Sequence, residues 1–189
     1  MDPSDSELVQ RAREGEIDAY AVLVRRYHPS CMRFALRMLR ERADAEEAVQ
    51  DAFTSAYRAL GRYRDRDRFQ TWLTQILVNR CRSVLRRQRR EPPLVAYEPE
   101  VAEVEAEPPS GWEPSWSAEV QEALMRLPPA LREAVLLHFV DGYHYREIAR
   151  LTGAGVSAVK MRVKRGREQL RAMLEARYDA RPRVGGDRA

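Results

Sequence analysis

The segment between Arg90 and Arg126 constrains the fold more than any other part of the chain, because it contains no basic residue. Glutamates and prolines recur along it instead. Like charges repel one another and prolines interrupt helices, so such a stretch cannot build a core of its own. We therefore predict an acidic, Pro-rich flexible linker over residues 91–117, and two folded blocks on either side of it.

Both blocks have the composition and periodicity of helical domains. Hydrophobic residues make up 44% of the 189 residues and charged residues 33%, which suits packed cores and excludes a membrane protein. Apolar residues recur at helical spacing, and no alternating β pattern is present. The predicted fold class is all-α, with a helical bundle over residues 1–90, a helix-turn-helix domain over 118–176 and a disordered tail over 177–189.

The first block contains two strongly amphipathic helices. They are predicted over residues 44–60 and 69–87, where apolar side chains follow the i, i+3, i+4, i+7 rule. Phe69 and Trp72 lie on the apolar stripe of the second helix and are assigned to the core. Turn signals in this block are few, the clearest being at Gly15, at His28–Pro29 and between Gly61 and Arg68.

The second block carries the pattern of a DNA-reading helix-turn-helix. A short helix near Tyr145 to Thr152 is followed by Gly153, which can supply the left-handed residue that ends it. The next helix is predicted to bury Val156, Val159 and Val163. Its opposite side would then expose polar and basic groups, with two arginines flanking them: Ser157, Lys160, Met161, Lys164, Arg162 and Arg165. The alternative is an ordinary solvated helix face.

Other classes of function find little support in the sequence. Cys31 and Cys81 lie far apart without a ligand-spaced neighbour, so we predict two buried apolar residues and no metal site. The three histidines form no catalytic constellation, and no glycine-rich phosphate loop is present. We expect no catalytic residue, cofactor or small-molecule substrate. The N-terminus lacks the pattern of a signal peptide, which favours a cytoplasmic protein that is not embedded in a membrane.

Two motif sets together resemble the extracytoplasmic-function sigma factors of bacterial RNA polymerase. The stretches 143–149 and 155–167, with Leu127-Pro128-Pro129 upstream, resemble the domain that reads the −35 promoter element. The stretch 44–53 resembles the helix that docks on the polymerase, and 69–80 resembles the helix that melts the −10 element. The resemblance covers nearly the whole chain except the linker and the last dozen or so residues.

The resemblance implies a polymerase subunit that catalyses nothing itself. Its partners would be core RNA polymerase, promoter DNA and an anti-sigma protein. The polar face of the docking helix would contact the polymerase through Glu46, Glu47, Gln50 and Asp51. The alternative is that this face serves solubility alone. Rival hypotheses are a helix-turn-helix regulator that is not a polymerase subunit and an adaptor that binds only proteins.

The −10 element would be held by the loop between the docking and melting helices and by the end of the melting helix. In the family the equivalent loop holds a flipped base, and arginines can capture the released strand. The residues that we assign to this role are Arg62, Tyr63, Arg64, Arg66, Arg68, Asn79, Arg80, Arg82, Arg86 and Arg87. The alternative for the loop is a mobile charged segment.

One further hypothesis concerns the positions that depart from the family pattern, and another concerns the role of the linker. Ser83, His144 and Met161 stand where the family often has aspartate, a small hydroxyl residue and serine. An apolar Met161 facing the groove would favour contact with a thymine methyl. The glutamates of the linker would let it mimic RNA in the polymerase channel, unless they only keep a tether extended.

Overall fold

The computed structural model describes residues 3–64, 68–90 and 117–179. Within these residues the chain forms eight α-helices and no strand, which confirms the predicted all-α class. The helices are α1 (Asp5–Arg13), α2 (Ile17–Met38), α3 (Arg42–Ala59), α4 (Phe69–Arg90), α5 (Ala118–Arg126), α6 (Pro129–Val135), α7 (Tyr145–Thr152) and α8 (Val156–Asp179). The predicted linker lies outside the described residues except for Ser117, so its electrostatic role stays a prediction.

Helices α1 to α4 form the first block, and α3 lies between α2 and α4. The stripe that α3 buries consists largely of alanines, which let neighbouring helices approach closely. It comprises Ala45, Ala48, Val49, Ala52, Phe53 and Ala56. After a 3₁₀ turn at Leu60–Arg62, α4 covers this stripe with a row of larger side chains. Its buried residues are Phe69, Leu73, Leu77, Val78, Cys81 and Val84.

The turn predicted at His28–Pro29 is absent, because α2 runs through Pro29 without a break. A proline inside a helix removes one backbone hydrogen bond and crowds the preceding turn. The helix continues because side chains on both sides of Pro29 are held in the core, with Leu23 at 0% and Phe34 at 4% exposure. Ending the helix there would expose them, so packing overrides the local signal.

Helices α5 to α8 form the second block. α6 continues into a π-helical turn at Leu136–Val140 and packs against α8, which also contacts α5 and α7. α8 extends to Asp179, so the part of the predicted disordered tail at residues 177–179 is helical, and the rest of that prediction lies outside the described residues. In the last turn of α8, Arg177 donates a hydrogen bond to the carboxylate of Glu122 in α5.

The two blocks are in contact with each other. α7 lies against α4, and α2 touches both α5 and α6. Buried side chains from both blocks belong to one continuous apolar cluster that includes Leu77, Leu124, Leu136 and Ile148. The acidic linker therefore separates the two blocks in sequence without separating them in space.

Candidate DNA and polymerase interfaces

The helix-turn-helix is built as the sequence predicts. Gly153 ends α7 with φ of 68°, the left-handed conformation that favours glycine. At the other end of α7, the Glu147 carboxylate accepts a hydrogen bond of 2.8 Å from the backbone N–H of His144. This bond caps the helix start even though His144 replaces the hydroxyl residue usual in the family. The turn thus sets the orientation of α7 relative to α8.

The second helix of this motif, α8, presents the face that we assigned to DNA. Val159 and Val163 are buried at 1% and 3% exposure, which turns the predicted contact residues outward. Ser157, Lys160, Met161, Lys164 and Arg165 are exposed, whereas Arg162 is half-buried. Met161 is 48% exposed, an unusual position for a large apolar side chain on a basic face.

Val156 was expected in the core, but its exposure is 36%. It is the first residue of α8 and follows the turn directly, so it precedes the point at which the helix meets the apolar cluster. The helical period therefore correctly predicts that Val159 and Val163 are buried. It fails for Val156, because no neighbouring helix covers that side chain.

The acidic face of α3 is exposed and already partly paired with arginines of α4. Glu46, Glu47, Gln50 and Asp51 all lie on the surface. Arg87 approaches Glu47 at 3.3 Å and Asp44 at 3.5 Å. Pairs this exposed contribute little to stability, because solvent screens them and the long side chains lose entropy. The face consequently remains available to a basic partner surface.

One of these α4 arginines, Arg80, links a predicted DNA contact to the predicted polymerase face. Its guanidinium donates to the Ser55 hydroxyl at 2.7 Å and lies 3.8 Å from the Asp51 carboxylate. Both predicted sets of contacts therefore meet along the groove between α3 and α4.

The loop before α4 places its aromatic ring differently from the sequence prediction. We expected Tyr63 to offer a stacking surface, but it is 6% exposed and packs on Trp72 at a ring distance of 4.9 Å. Its hydroxyl accepts a hydrogen bond of 3.2 Å from the backbone N–H of Arg68. In this conformation the ring supports the loop from inside, together with the fully buried Phe69.

The arginines of this loop border a cleft between the two blocks. Arg62, Arg64 and Arg68 are exposed, and Arg66 lies outside the described residues. The cleft, of about 360 Å³, is closed on its far side by Glu147 and Arg150 of α7. The described charged residues of its lining are four arginines and one glutamate, so the charge of the cleft is mainly positive, as expected for a surface that meets phosphates.

Arg82 has partners that the sequence did not indicate. Its guanidinium donates two hydrogen bonds of 2.6 Å to the carboxylate of Glu133 in α6, and a third of 3.1 Å to the carbonyl of Thr152. Glu133 was not identified from the sequence, because its place in the apolar run of α6 gives no functional signal. The other predicted residues near the end of α4, Asn79 and Arg86, are exposed.

Asp141 lies where the second block meets α2 and α4. Burial raises its pKa to about 7, although the guanidinium groups of Arg37 and Arg33 in α2 oppose the shift. Cys31 and Tyr143 also line this contact, and burial raises the pKa of each of them as well.

The raised pKa of Asp141 predicts how the stability of the fold depends on pH. A raised pKa means that the folded chain binds this proton more tightly than the unfolded chain. The stabilisation is complete below about pH 4 and is lost as the pH rises through about 7. Asp141→Asn should therefore raise the thermal unfolding midpoint more at pH 8 than at pH 5. A shift of equal size at pH 5 and pH 8 for Asp141→Asn would contradict the raised pKa of this carboxyl group.

In residues 3–64, 68–90 and 117–179, no group of three or more metal-ligating side chains comes together. Both cysteines are buried as predicted, and burial raises the pKa of each thiol to about 12. Among the helices of these ranges, none combines the length and the hydropathy that a membrane span requires.

Comparison with known proteins identifies both blocks. Residues 23–91 match the model of sigma-70 region 2, and residues 117–170 match that of sigma-70 region 4. The RNA polymerase sigma factor CarQ of Myxococcus xanthus is 37% identical over 88% of this chain and 95% of its own. The ECF RNA polymerase sigma factor SigM of Mycobacterium tuberculosis is 36% identical over 90% of this chain and 85% of its own.

A solved structure agrees with this result. CnrH, solved in complex with the cytosolic domain of CnrY, superposes with a TM-score of 0.66 at 25% identity, covering 92% of this chain and 99% of CnrH. Both regions occur here in the same chain, on either side of the acidic segment, and full-length relatives match nearly end to end. The chain therefore belongs to the extracytoplasmic-function sigma factors, the sigma-70 family subunits that direct RNA polymerase to alternative promoters.

Proposed function

We propose that this sigma factor docks on core RNA polymerase through the acidic face of α3 and reads a promoter with its two blocks. Helix α8 would lie in the major groove of the −35 element, and the loop before α4 with the arginines of α4 would hold the −10 element. The exposed basic face of α8 behind a properly formed helix-turn-helix carries this proposal, because base reading requires such a face.

The proposed function also implies which partners the chain has. Core polymerase performs RNA synthesis, so this chain needs neither catalytic residues nor a cofactor of its own, and it would work in the cytoplasm. An anti-sigma protein is the expected regulator. The similarity to CnrH supports this expectation, since CnrH is solved with the cytosolic domain of CnrY.

The experiment that tests the proposal is run-off transcription with purified core polymerase on genomic fragments. Addition of this chain should produce discrete transcripts from a small set of promoters, with none from core polymerase alone. If the chain binds DNA but never redirects core polymerase, it acts as an independent helix-turn-helix regulator. If it binds neither DNA nor core polymerase, the adaptor hypothesis is favoured.

A prediction concerns the basic face of α8. Replacing Lys160 or Arg162 with alanine should weaken promoter binding by about 1 to 3 kcal/mol if the lost contact is to a base. Affinity for core polymerase should be unchanged. A matched control is Arg171→Ala, which removes an exposed arginine of the same helix that pairs with Glu175 at 2.7 Å. Equal losses at all three positions would indicate only general attraction to DNA.

A further inference from the structure

Met161 is a large apolar side chain on the face of α8 that we assign to DNA. It is 48% exposed, whereas Val159 and Val163 are buried at 1% and 3%. Residues two apart on a helix point about 200° away from each other. Met161 follows Val159 by two positions and precedes Val163 by two. Its side chain therefore leaves α8 on the side opposite the core of the second block.

The neighbours of Met161 on this face leave room for a base to approach. The preceding turn carries Ser157 and Ala158, which are small and exposed. A helical side chain leans toward the N-terminus of its helix, so Met161 extends over this turn. The following turn carries Lys164 and Arg165, both exposed. An apolar contact thus lies near the start of α8, where a recognition helix meets base edges, with cations behind it.

The charges around Met161 favour DNA over a protein as the partner of this side chain. Charged residues, and lysine above all, are depleted in the cores of protein interfaces, whereas DNA phosphates attract them. Lys160 and Lys164 are both exposed beside Met161. Glu168 lies 3.9 Å from Lys164 and about 10 Å further along the helix than Met161. Phosphates would repel its carboxylate, so the DNA contact is expected to end before it.

The chemistry of methionine restricts which base edge it can recognise. Its thioether sulfur is only a weak hydrogen-bond acceptor. Against the polar N7, O6, N6 or N4 groups of the other bases, it would displace water without replacing the lost hydrogen bonds. Thymine instead presents an apolar methyl group at C5 in the major groove. A flexible, unbranched side chain such as that of Met161 can adapt its shape to this group.

We propose that Met161 reads the C5-methyl group of one pyrimidine in the −35 element. The element then carries thymine at this position. At a promoter that has cytosine there, methylation of C5 strengthens binding, because 5-methylcytosine presents the same methyl group in the major groove. Promoter recognition by this chain thereby responds to DNA methylation at a single base pair. The proposal rests on the proposed function for the placement of α8 in the major groove.

The test uses the full chain assembled with core polymerase and a −35 duplex that this complex selects from a random pool. Each thymine of the selected element is replaced singly with deoxyuridine, which lacks only the C5-methyl group. Fluorescence titrations compare the unmodified chain with Met161→Ala and Met161→Gln, on DNA and on core polymerase. The control is Ile17→Ala, which removes an apolar side chain that is 70% exposed in the first block.

We expect deoxyuridine at one thymine to weaken binding by the unmodified chain about fourfold, as the loss of one buried methyl group would. Ile17→Ala should show the same penalty. In Met161→Ala and Met161→Gln the penalty should nearly vanish, and comparison between variants cancels any effect of the methyl group on the DNA itself. At the same position, 5-methylcytosine should bind the unmodified chain about fourfold more tightly than cytosine does, and the two Met161 variants no more tightly.

Each of three results would contradict the proposal while leaving the proposed function intact. If no deoxyuridine replacement weakens binding, the chain reads no methyl group in this element. If the penalty persists in Met161→Ala, another side chain or the shape of the DNA is responsible. If Met161→Ala weakens binding to core polymerase and leaves promoter binding unchanged, the side chain belongs to a protein interface. A complex that selects no sequence from the pool would overturn the proposed function and this proposal together.

Discussion

Replacement of Gly166 with alanine is expected to destabilise the second block by about 1 to 3 kcal/mol, the usual range for an overpacked core. Gly166 is buried where α8 crosses α6, and an added Cβ would lie 2.5 Å from the Cγ2 of Val135 and 3.3 Å from the carbonyl oxygen of Leu131. Val135 cannot move aside easily, because β-branched side chains in helices have one strongly preferred rotamer. Urea unfolding followed by circular dichroism measures the loss.

Two further variants make this result specific. At an open helical position, glycine to alanine would stabilise by about 1 kcal/mol, so a loss is itself evidence for the contact. Gly155→Ala, in the turn that precedes α8, is the control for steric overlap alone, since nothing lies within 4 Å of its added Cβ. In the double variant Gly166→Ala, Val135→Ala, the loss should be smaller than the sum of the two single losses. Strict additivity would contradict the clash.

Charge reversal on α3 is expected to have the second large effect. Replacing both Glu47 and Asp51 with lysine should weaken core polymerase binding about 10- to 100-fold, because like charges across an interface cost several kcal/mol. The helical fold should survive, since both side chains are 54% exposed and their partners Arg87 and Arg80 are also solvated. The measurement is a titration of labelled core polymerase at two salt concentrations, with a smaller effect expected at the higher one.

The control for this prediction is Glu14→Lys, which reverses an exposed charge outside α3. It should leave core affinity unchanged and so exclude a general effect of net charge. Normal core affinity together with normal run-off transcription in the double variant would show that the polymerase binds elsewhere. An unfolded double variant would contradict the assignment of both residues to a solvated face, and circular dichroism would detect it.

The helix-turn-helix illustrates how far local sequence can specify the shape of a motif and the side chains that it exposes. The sequence predicts a turn at Gly153 and a following helix whose apolar side faces inward and whose polar side faces outward. The structure has this turn and this helix. Such agreement across several levels is what makes a local pattern predictive. The weak points are at the ends of elements, as the exposed Val156 shows, because the helical period says nothing about where a neighbouring helix begins to cover the surface.

Tyr63 and Arg82 show where residue type alone misleads. A tyrosine among arginines has the composition of a nucleic-acid contact, but its ring is buried against Trp72. Arg82 belongs to a run of arginines at the end of α4, yet it is the one whose guanidinium is bound by Glu133. Composition identifies groups that can bind phosphate, and the packing of distant segments decides which of them are free to do so.

The sequence by itself determined the all-α class, the main helices of both blocks, the turn of the helix-turn-helix and the outward face of α8. Each of these depends on residues close together in the chain, so periodicity and turn chemistry are sufficient. Only the tertiary structure decided that α2 continues through Pro29 and that Arg82 meets Glu133 across the acidic segment. Those features depend on contacts between residues far apart in the chain, whose free energy outweighs local preference and leaves no periodic signal to read.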